Sequence, residues 1–227
     1  TLKFLTENSK IFRENINTKI IAITGSCGKT TLKELLGSLL KKVSTVSISP
    51  KSYNNKYGVP LSLFNLNQKD NYGVLELGMD KKGEIDYLSK IVQPDVSVIT
   101  NINYAHAKNF KNLKQIALAK SEIINNTKDN GFIILNADDN FFTLHKKIAK
   151  KKNLKTLSFG IKSKKTNVKL INIQKAGKKF KANIKIDNLK THFLISNDFE
   201  SNISNILAAI TVINIFFDIS KISKNIF

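Results

Sequence analysis

The chain has 227 residues, enough for a domain with a substantial core, and 41% of them are hydrophobic. Its single cysteine, Cys27, excludes an internal disulfide, and its longest apolar run, residues 203–217, is shorter than the ~20 residues of a membrane-spanning helix. The formal net charge of +20, from 37 basic and 17 acidic residues, requires that binding to polyanions be considered beside catalysis.

Apolar runs alternate with amphipathic stretches over residues 19–160. These patterns predict strands at residues 19–24, 43–48, 72–77, 96–99, 132–136 and 155–159. They predict helices at residues 30–41, 83–91, 112–126 and 141–150, and a polar loop at residues 49–59. Strands that alternate with helices of about 10–15 residues favour parallel pairing through right-handed crossovers.

A different pattern follows residue 160. Strands are predicted at residues 167–174, 179–187 and 189–195, with turns at Ala176-Gly177 and Asp187-Asn188, and a last helix at residues 201–217. The predicted fold class is therefore α/β, a mostly parallel sheet flanked by helices with a small antiparallel β-meander attached. Because the first strand begins only at residue 19, residues 1–18 are expected to lead in from a preceding domain.

The segment IIAITGSCGKTT, residues 20–31, is a buried strand followed by a glycine turn and a helix. Backbone N–H groups at such a turn, together with the helix dipole, bind phosphate. Gly25 and Gly28 let the backbone approach a ligand, Lys29 can reach the β- and γ-phosphates, and the Thr30 hydroxyl can ligate Mg²⁺. The segment thus predicts a P-loop sheet whose nucleotide-binding residues are Thr24, Gly25, Ser26, Cys27, Gly28, Lys29, Thr30 and Thr31.

Two features of this loop qualify the prediction. The generic P-loop pattern has glycine where Ile23 stands, so the match is to a shorter variant, T-G-S-x-G-K-T-T. Cys27 lies at a helix N-terminus near a lysine, a setting that can lower a thiol pKa. It is interpreted as a filler position, with redox sensitivity as the alternative.

Six segments in order and spacing, TGSCGKTT, SPKSYNNKYGVPLSL, ELGMDKKGEIDYL, ITNINYAHAKNF, IALAKSEI and NADD, resemble the Mur ligases. The YNN..GVPLSL and ELGM...GEI segments are most similar to the type that adds D-alanyl-D-alanine to UDP-N-acetylmuramoyl-tripeptide. The resemblance is strong over residues 20–139 and weaker up to residue 209. It implies that residues 1–18 lead in from an N-terminal domain, that residues 19–227 are the central ATP-binding domain, and that the C-terminal ligase domain is absent.

The resemblance also implies the chemistry, which is ATP-dependent amide formation in peptidoglycan precursor synthesis. In the family the tripeptide carboxylate is converted to an acyl phosphate, which the amine of D-alanyl-D-alanine then attacks. The implied cofactors are ATP and two Mg²⁺ ions. A chain that lacks the other domains is expected to bind nucleotide weakly and not to ligate. A cytoplasmic monomer without a membrane span or a nucleic-acid partner is expected.

The implied catalytic residues are Lys29, Glu76, His106 and Lys120. Glu76 ends a predicted parallel strand, at the sheet edge where ligands collect, and with Thr30 it is implied to hold one Mg²⁺. His106 follows another strand and is implied to hold the second ion together with a carbamylated Lys120. Carbamylation requires a neutral amine, so burial or nearby cations must lower the pKa of Lys120. His145 and His192 are assigned no role.

Asparagines complete the implied site. Asn54 and Asn55 lie in the loop that the family places near the γ-phosphate and the muramoyl-peptide, with Asn55 the better match and an ordinary turn as the alternative. Asn101 is expected at the same edge, and Asn202 and Asn205 match a segment near the adenine. The sequence has Phe-Glu-Ser at residues 199–201 where the family usually has Gly-x-His. In the NADD turn, helix capping explains Asp138 and Asp139.

Two other functions are open at this point. One is a related ATP-dependent ligase of the folylpolyglutamate synthase type, against which the YNN..GVP segment argues. The other is a basic nucleic-acid-binding P-loop module, which predicts salt-sensitive, sequence-independent affinity. The lysines are scattered, and the densest cluster, residues 146–155, is interpreted as a solvated helix face.

Overall fold

One sheet of nine strands runs through the computed structural model, which describes residues 1–104, 109–196 and 202–219. The strands are β1 Lys19–Thr24, β2 Val46–Ile48, β3 Tyr72–Glu76, β4 Val96–Ile99, β5 Phe132–Asn136, β6 Lys155–Gly160, β7 Val168–Ala176, β8 Lys179–Ile186 and β9 Leu189–Ser196. The helices are α1 Leu2–Glu14, α2 Lys29–Leu40, α3 Gly58–Phe64, α4 Glu84–Val92, α5 Leu113–Asn125, α6 Phe142–Lys151 and α7 Ile203–Phe216.

The strand order is β2-β3-β1-β4-β5-β6-β7-β8-β9, and pairing is parallel from β2 to β7. β1 lies between β3 and β4, with Ile23 opposite Glu76 and Thr24 opposite Ile99. The carboxyl ends of these three strands therefore meet at one point of the sheet edge. Such a point, where successive crossovers diverge, is where open α/β sheets bind ligands.

The antiparallel meander continues the same sheet. β7 joins β6 in parallel through only two residue pairs, then pairs antiparallel with β8, and β8 pairs antiparallel with β9. Gly177 and Asp187 take positive φ angles of 65° and 47° in the two turns, as the turn residues of the sequence indicate. The predicted fold class is confirmed.

Helices cover both faces of the sheet. On one face α2 and α7 pack on the parallel strands and on the inner face of the meander, around Leu32, Leu36, Ile184 and Phe193. On the other face α3, α4, α5 and α6 enclose a second apolar cluster. None of the described helices has both the length and the apolar character needed to cross a membrane.

Two helices differ from the sequence prediction. The loop predicted to end at residue 59 ends earlier, because Asn55 Oδ1 accepts hydrogen bonds from the N–H groups of Tyr57 and Gly58 and starts α3. Residues 2–14, for which no element was predicted, form α1. Its buried Arg13 donates to the carbonyl of Val92 at 2.7 Å and pairs with Asp95 at 3.0 Å.

The NADD turn holds loops rather than capping α6. Asp138 accepts hydrogen bonds from the N–H groups of Ile161, Lys162 and Ser163 in the loop after β6. Asp139 accepts from Ile102 N at 2.7 Å, which ties the turn to the loop after β4, and also from Phe141 N, the residue before α6. The expectation that helix capping explains both aspartates is therefore wrong, because Phe141 is at the N-cap of α6 and no side chain caps this helix.

Candidate active site

The loop between β1 and α2 has backbone angles that only glycine adopts easily. Gly25 has a φ of +150°, and a Cβ added there would lie 1.9 Å from Thr100 Oγ1. Gly28 has a φ of +81° and precedes the first residue of α2. The loop therefore leaves the N-terminal N–H groups of α2 directed out of the sheet edge, which is the arrangement that binds phosphate.

The segment after β4 holds this loop in place. Ser26 N donates to Asn101 O at 2.9 Å, and Cys27 N donates to Asn101 Oδ1 at 3.0 Å. The Ser26 hydroxyl exchanges hydrogen bonds with the backbone of Asn103. Thr24 is fully buried at the end of β1. The side chains of Ser26 and Asn101 thus stabilise the loop conformation.

Two lysines converge on the loop from different helices. Lys29 Nζ donates to Gly25 O at 3.1 Å, and Lys120 Nζ on α5 donates to the same oxygen at 3.0 Å. Lys120 is 3% exposed. Burial, and secondly the charge of Lys29, lower the pKa of Lys120 to about 7. A substantial fraction of the Lys120 amine is therefore neutral near pH 7.

The carboxylate of Glu76 is almost fully buried at the end of β3, and each of its oxygens accepts a hydrogen bond. Thr30 Oγ1 donates to Oε2 at 2.7 Å, and Asn54 Nδ2 donates to Oε1 at 2.7 Å. A hydroxyl and a carboxylate beside a phosphate loop are the protein ligands that nucleotide-bound Mg²⁺ takes in P-loop proteins.

A cavity of about 580 Å³ opens beside the loop. Its walls include Lys29, Asn54, Asn55, Tyr57, Tyr87 and Lys120. The cavity thus joins the phosphate loop to the segment after β2, which contains two of the three predicted substrate-binding asparagines, Asn54 and Asn55. Asn54 contacts Glu76, whereas Asn55 Oδ1 accepts from the N–H groups of Tyr57 and Gly58 at the start of α3.

Of the two residues predicted near the adenine, Asn205 lies against the loop. A Cβ added at Gly28 would lie 2.8 Å from Asn205 Oδ1, so the Asn205 amide packs on the start of α2. Asn205 Nδ2 donates to Asn202 Oδ1 at 3.4 Å. His106 lies outside the described residues, as do residues 199–201, where the sequence departs from the family pattern.

The described residues fit a nucleotide with Mg²⁺. The glycine conformations leave room for phosphate, and Thr30 and Glu76 are already paired at the loop. Within residues 1–104, 109–196 and 202–219, no three His, Cys, Asp or Glu side chains cluster as a metal site. Nucleotide-bound Mg²⁺ commonly takes several of its ligands from phosphate and water.

Sequence reasoning missed two residues that support this site. Lys33 on α2 is fully buried and binds the backbone of the loop after β2. Lys33 lies on the same helix face as Leu36 and Leu40, and this spacing in the sequence indicates that it is buried. Glu122 on α5 accepts hydrogen bonds from Gly83 N and Asp86 N at the start of α4, and burial raises its pKa.

Known proteins share this sequence and fold. The sequence profile of the Mur ligase middle domain matches residues 23–213. The UDP-N-acetylmuramoyl-tripeptide–D-alanyl-D-alanine ligase of Buchnera aphidicola subsp. Acyrthosiphon pisum is 46% identical over 153 residues, which are 67% of this chain and 33% of that protein.

Two solved structures are similar over nearly the whole chain. MurF from Acinetobacter baumannii has a TM-score of 0.85 and 33% identity, and the match covers 94% of this chain and 46% of that one. MurF from Thermotoga maritima, solved in complex with ADP, has a TM-score of 0.84 and 28% identity, with coverages of 94% and 49%.

The chain therefore spans about half or less of the length of the relatives it matches. Its profile match extends from β1 into α7 and so includes the phosphate loop, Glu76, Lys120 and Asn205. The chain belongs to the Mur ligase family, in the part of the sequence that forms the family's middle domain.

Proposed function

We propose that this chain is the ATP-binding part of a ligase that joins D-alanyl-D-alanine to UDP-N-acetylmuramoyl-tripeptide in peptidoglycan precursor synthesis. The observation that carries the proposal is the convergence of Lys29, Lys120 and the Thr30–Glu76 pair on one loop. The names of the relatives with 28–46% identity favour this ligase over the folylpolyglutamate synthase type.

The phosphate loop would bind ATP through its backbone and Lys29. The N–H groups at the start of α2 carry the partial positive charge of the helix, and Gly25 and Gly28 keep the backbone uncovered. Lys29 Nζ donates a hydrogen bond to Gly25 O and can donate to phosphate oxygens instead. Asn205 lies beside Gly28 and donates to Asn202, and both are proposed to lie on the adenine side.

Thr30 and Glu76 would hold the first Mg²⁺, and Asn54 would fix the orientation of the Glu76 carboxylate. His106 and a carbamylated Lys120 are proposed to hold the second. Bound Mg²⁺ supplies charge neutralisation, which lets an anionic carboxylate approach the triphosphate. The catalytic set proposed is therefore Lys29, Glu76, His106 and Lys120.

Carbamylation of Lys120 is supported by its position. The neutral amine attacks the carbon of CO₂, an N–C bond forms, and one proton is released, which leaves a carboxylate-like anion. Burial and the neighbouring Lys29 favour the neutral amine, and this anion would relieve the repulsion between the two ammonium groups at Gly25 O. A carbamate signal in ¹³C NMR with labelled bicarbonate, absent in Lys120→Met, tests this step.

The cavity beside the loop is proposed to take the peptide end of the UDP-linked substrate, next to Asn54 and Asn55, with Asn101 at the same edge. The amine of D-alanyl-D-alanine would then attack the carbonyl carbon of the acyl phosphate, which forms the amide bond and releases phosphate. Use of ATP and a UDP-linked precursor implies a cytoplasmic enzyme. This location, the monomeric state and the lead-in role of residues 1–18 stay predictions.

Nucleotide binding tests the first half of the proposal. Calorimetry with the 227-residue chain should show ADP binding that Mg²⁺ strengthens, and Lys29→Met should abolish it. Lys41→Met, an exposed lysine just after α2, is the matched control and should bind as the parent does. Absence of nucleotide binding by the parent would refute the proposal.

Ligation tests the second half. Residues 20–213 can replace the matching segment of the Acinetobacter baumannii enzyme, and the chimera should release phosphate only when both substrates are present. The same chimera with Lys120→Ala should bind nucleotide without releasing phosphate. That the 227 residues alone do not ligate stays a prediction, and the same phosphate-release assay tests it.

A further inference from the structure

Lys33 is a fully buried lysine on α2, three residues after Thr30, and its side chain is 0% exposed. It lies on the face of α2 that also carries Leu36 and Leu40, within an otherwise apolar surface. Removing an ammonium group from water is costly unless hydrogen bonds replace its hydration. The contacts of Lys33 Nζ must therefore account for its position.

All three protons of the Lys33 ammonium have acceptors. Nζ donates to Ser49 O at 2.8 Å and to Lys51 O, and it forms an ion pair with Glu34 Oε1 at 3.0 Å. The Glu34 side chain is 57% exposed, so its contribution is weakened by water. The two backbone carbonyls are thus the principal partners of Lys33, and both belong to the loop that follows β2.

This loop takes a conformation that needs such support. Lys51 has a φ of +43°, in the left-handed region that residues with a Cβ seldom adopt. Its carbonyl points at Lys33 Nζ. Lys33 therefore stabilises the strained part of the loop, three residues before Asn54.

The far end of the loop reaches Glu76, the carboxylate proposed to hold Mg²⁺. Asn54 Nδ2 donates to Glu76 Oε1, and Asn54 O accepts from Gly78 N at 2.7 Å. Ser49 Oγ accepts from Glu76 N at 3.4 Å. Both ends of the segment that Lys33 holds thus contact Glu76 or its neighbours.

We propose that Lys33 is a positioning residue for the Thr30–Glu76 pair, and that it acts through Asn54. Lys33 fixes the backbone at Ser49 and Lys51. The loop then places the Asn54 amide against Glu76 Oε1, so that Oε2 faces Thr30 and would be available to Mg²⁺. The inference rests on the proposed binding of a nucleotide with Mg²⁺. It links α2, which begins at the phosphate loop, to the loop that lines the substrate cavity.

The test compares ADP binding in EDTA with ADP binding in Mg²⁺, by calorimetry on the 227-residue chain. Lys33→Met keeps the apolar stem and deletes the donors. We expect its ADP affinity in EDTA to stay within about twofold of the parent value. The gain in affinity on adding Mg²⁺ should fall about tenfold, the effect of losing a hydrogen bond to a charged group.

Asn54→Ala should cause a similar loss of the Mg²⁺ effect, and the Lys33→Met/Asn54→Ala double variant should lose little more than either single variant. Lys33→Arg should restore part of the Mg²⁺ effect, and Lys41→Met should leave it intact. In the Mn²⁺ complex with ADP, Lys33→Met should alter the electron paramagnetic resonance spectrum as Asn54→Ala does.

Equal loss of affinity in EDTA and Mg²⁺, or multiplied losses in the double variant, would show that Lys33 only stabilises the fold and would overturn the inference. If Lys33→Met does not fold, Lys33→Gln, which keeps a shorter donor, carries the same comparison. Failure of the parent chain to bind ADP more tightly with Mg²⁺ would instead refute the proposed function.

Discussion

Lys29 and Lys120 donate hydrogen bonds to one acceptor, the carbonyl oxygen of Gly25, at 3.1 and 3.0 Å. One lysine belongs to the phosphate loop helix and the other to α5, so the contact joins two helices that are far apart in sequence. Two ammonium groups at one oxygen repel each other. Burial, and secondly this repulsion, lower the pKa of Lys120 to about 7.

This pKa predicts that Lys120 destabilises the fold in a defined pH range. Below pH 7 the lysine is protonated in both states, and its burial cost is complete. Between about pH 7 and the ordinary value of 10.5 the unfolded chain binds the proton and the folded chain does not, so stability rises with pH. In CO₂-free buffer, the free energy of unfolding of the parent, relative to Lys120→Met, should rise by at most about 1.4 kcal/mol per pH unit.

Urea unfolding of both proteins at several pH values between 6 and about 9 measures the difference, in the range where carboxylates no longer titrate. Lys120→Met also loses the hydrogen bond to Gly25 O, but that loss changes the free energy of unfolding by the same amount at every pH. A difference that stays constant with pH would contradict the lowered pKa.

Lys29 should influence this titration from the other helix. Its charge is the second cause of the lowered pKa of Lys120, after burial. Lys29→Met should therefore raise the pKa of Lys120 and move the range of pH-dependent stability upward. The comparison of Lys29→Met with Lys29→Met/Lys120→Met isolates the effect. Unchanged pH dependence would show that burial alone sets the pKa.

Substitution of Asn54 should affect ligand binding, whereas substitution of Asn55 should affect stability. Asn54→Ala removes the donor to Glu76 Oε1, so it should weaken Mg²⁺-dependent ADP binding about tenfold. Asn55→Ala removes the acceptor for Tyr57 N and Gly58 N, so it should lower the free energy of unfolding by about 1 kcal/mol. Calorimetry and urea unfolding of both variants distinguish them, and the reverse assignment would contradict the contacts described.

The sheet and most helices could be predicted from the sequence because buried faces make apolar residues recur at the spacing of a strand or a helix. β1, β4 and β5 have the predicted bounds, since each is a short apolar run between turn residues. α3 was missed because it is only seven residues long and is started by the side chain of Asn55. α1 was missed because its anchor, Arg13, is buried through contacts with Val92 and Asp95, about 80 residues away.

The sequence predicted the candidate-site residues whose side chains have a direct chemical role. It did not predict the contacts that depend on the conformation of a loop. The phosphate loop, Glu76 and Lys120 lie together, and the roles assigned to them stay predictions. The assignment of the carboxylate contact to Asn54 rather than Asn55 depends on loop geometry. Lys33 shows the same limit, because its partners are backbone carbonyls, which no sequence pattern marks.

His145 should make the fold sensitive to acid. It is buried on α6, and its Nε2 lies 3.1 Å from Ala117 O on α5. Burial lowers the pKa of His145 from the ordinary 6.5, while the Ala117 carbonyl and the charge of Asp139 partly oppose the shift. The unfolded chain therefore gains a proton first, and the contribution of His145 to stability is lost as the pH falls below 6.5.

His145→Gln has no titrating group and keeps an amide that can donate to Ala117 O. Its melting temperature should fall less steeply than that of the parent between pH 7 and about 5, the range in which histidine titrates. Differential scanning calorimetry of both proteins across this range provides the measurement. Parallel curves would show that His145 does not bind a proton on unfolding.

Cys27 offers a direct probe of the phosphate loop, because it is the single cysteine of the chain and is exposed. Its backbone N–H and carbonyl are bound to Asn101, so the loop is held while the thiol stays accessible. A nucleotide on the loop would cover the thiol. Alkylation by iodoacetamide, followed by mass spectrometry, should therefore slow in the presence of Mg²⁺ and ATP.

Two variants give this experiment its controls. Lys29→Met should remove the protection, because the nucleotide no longer binds. Cys27→Ser should bind ATP within about twofold of the parent, as expected of a filler position whose side chain is not needed for the loop. Protection that persists in Lys29→Met would show that ATP covers Cys27 from another site, and the loop would then not be the nucleotide-binding element.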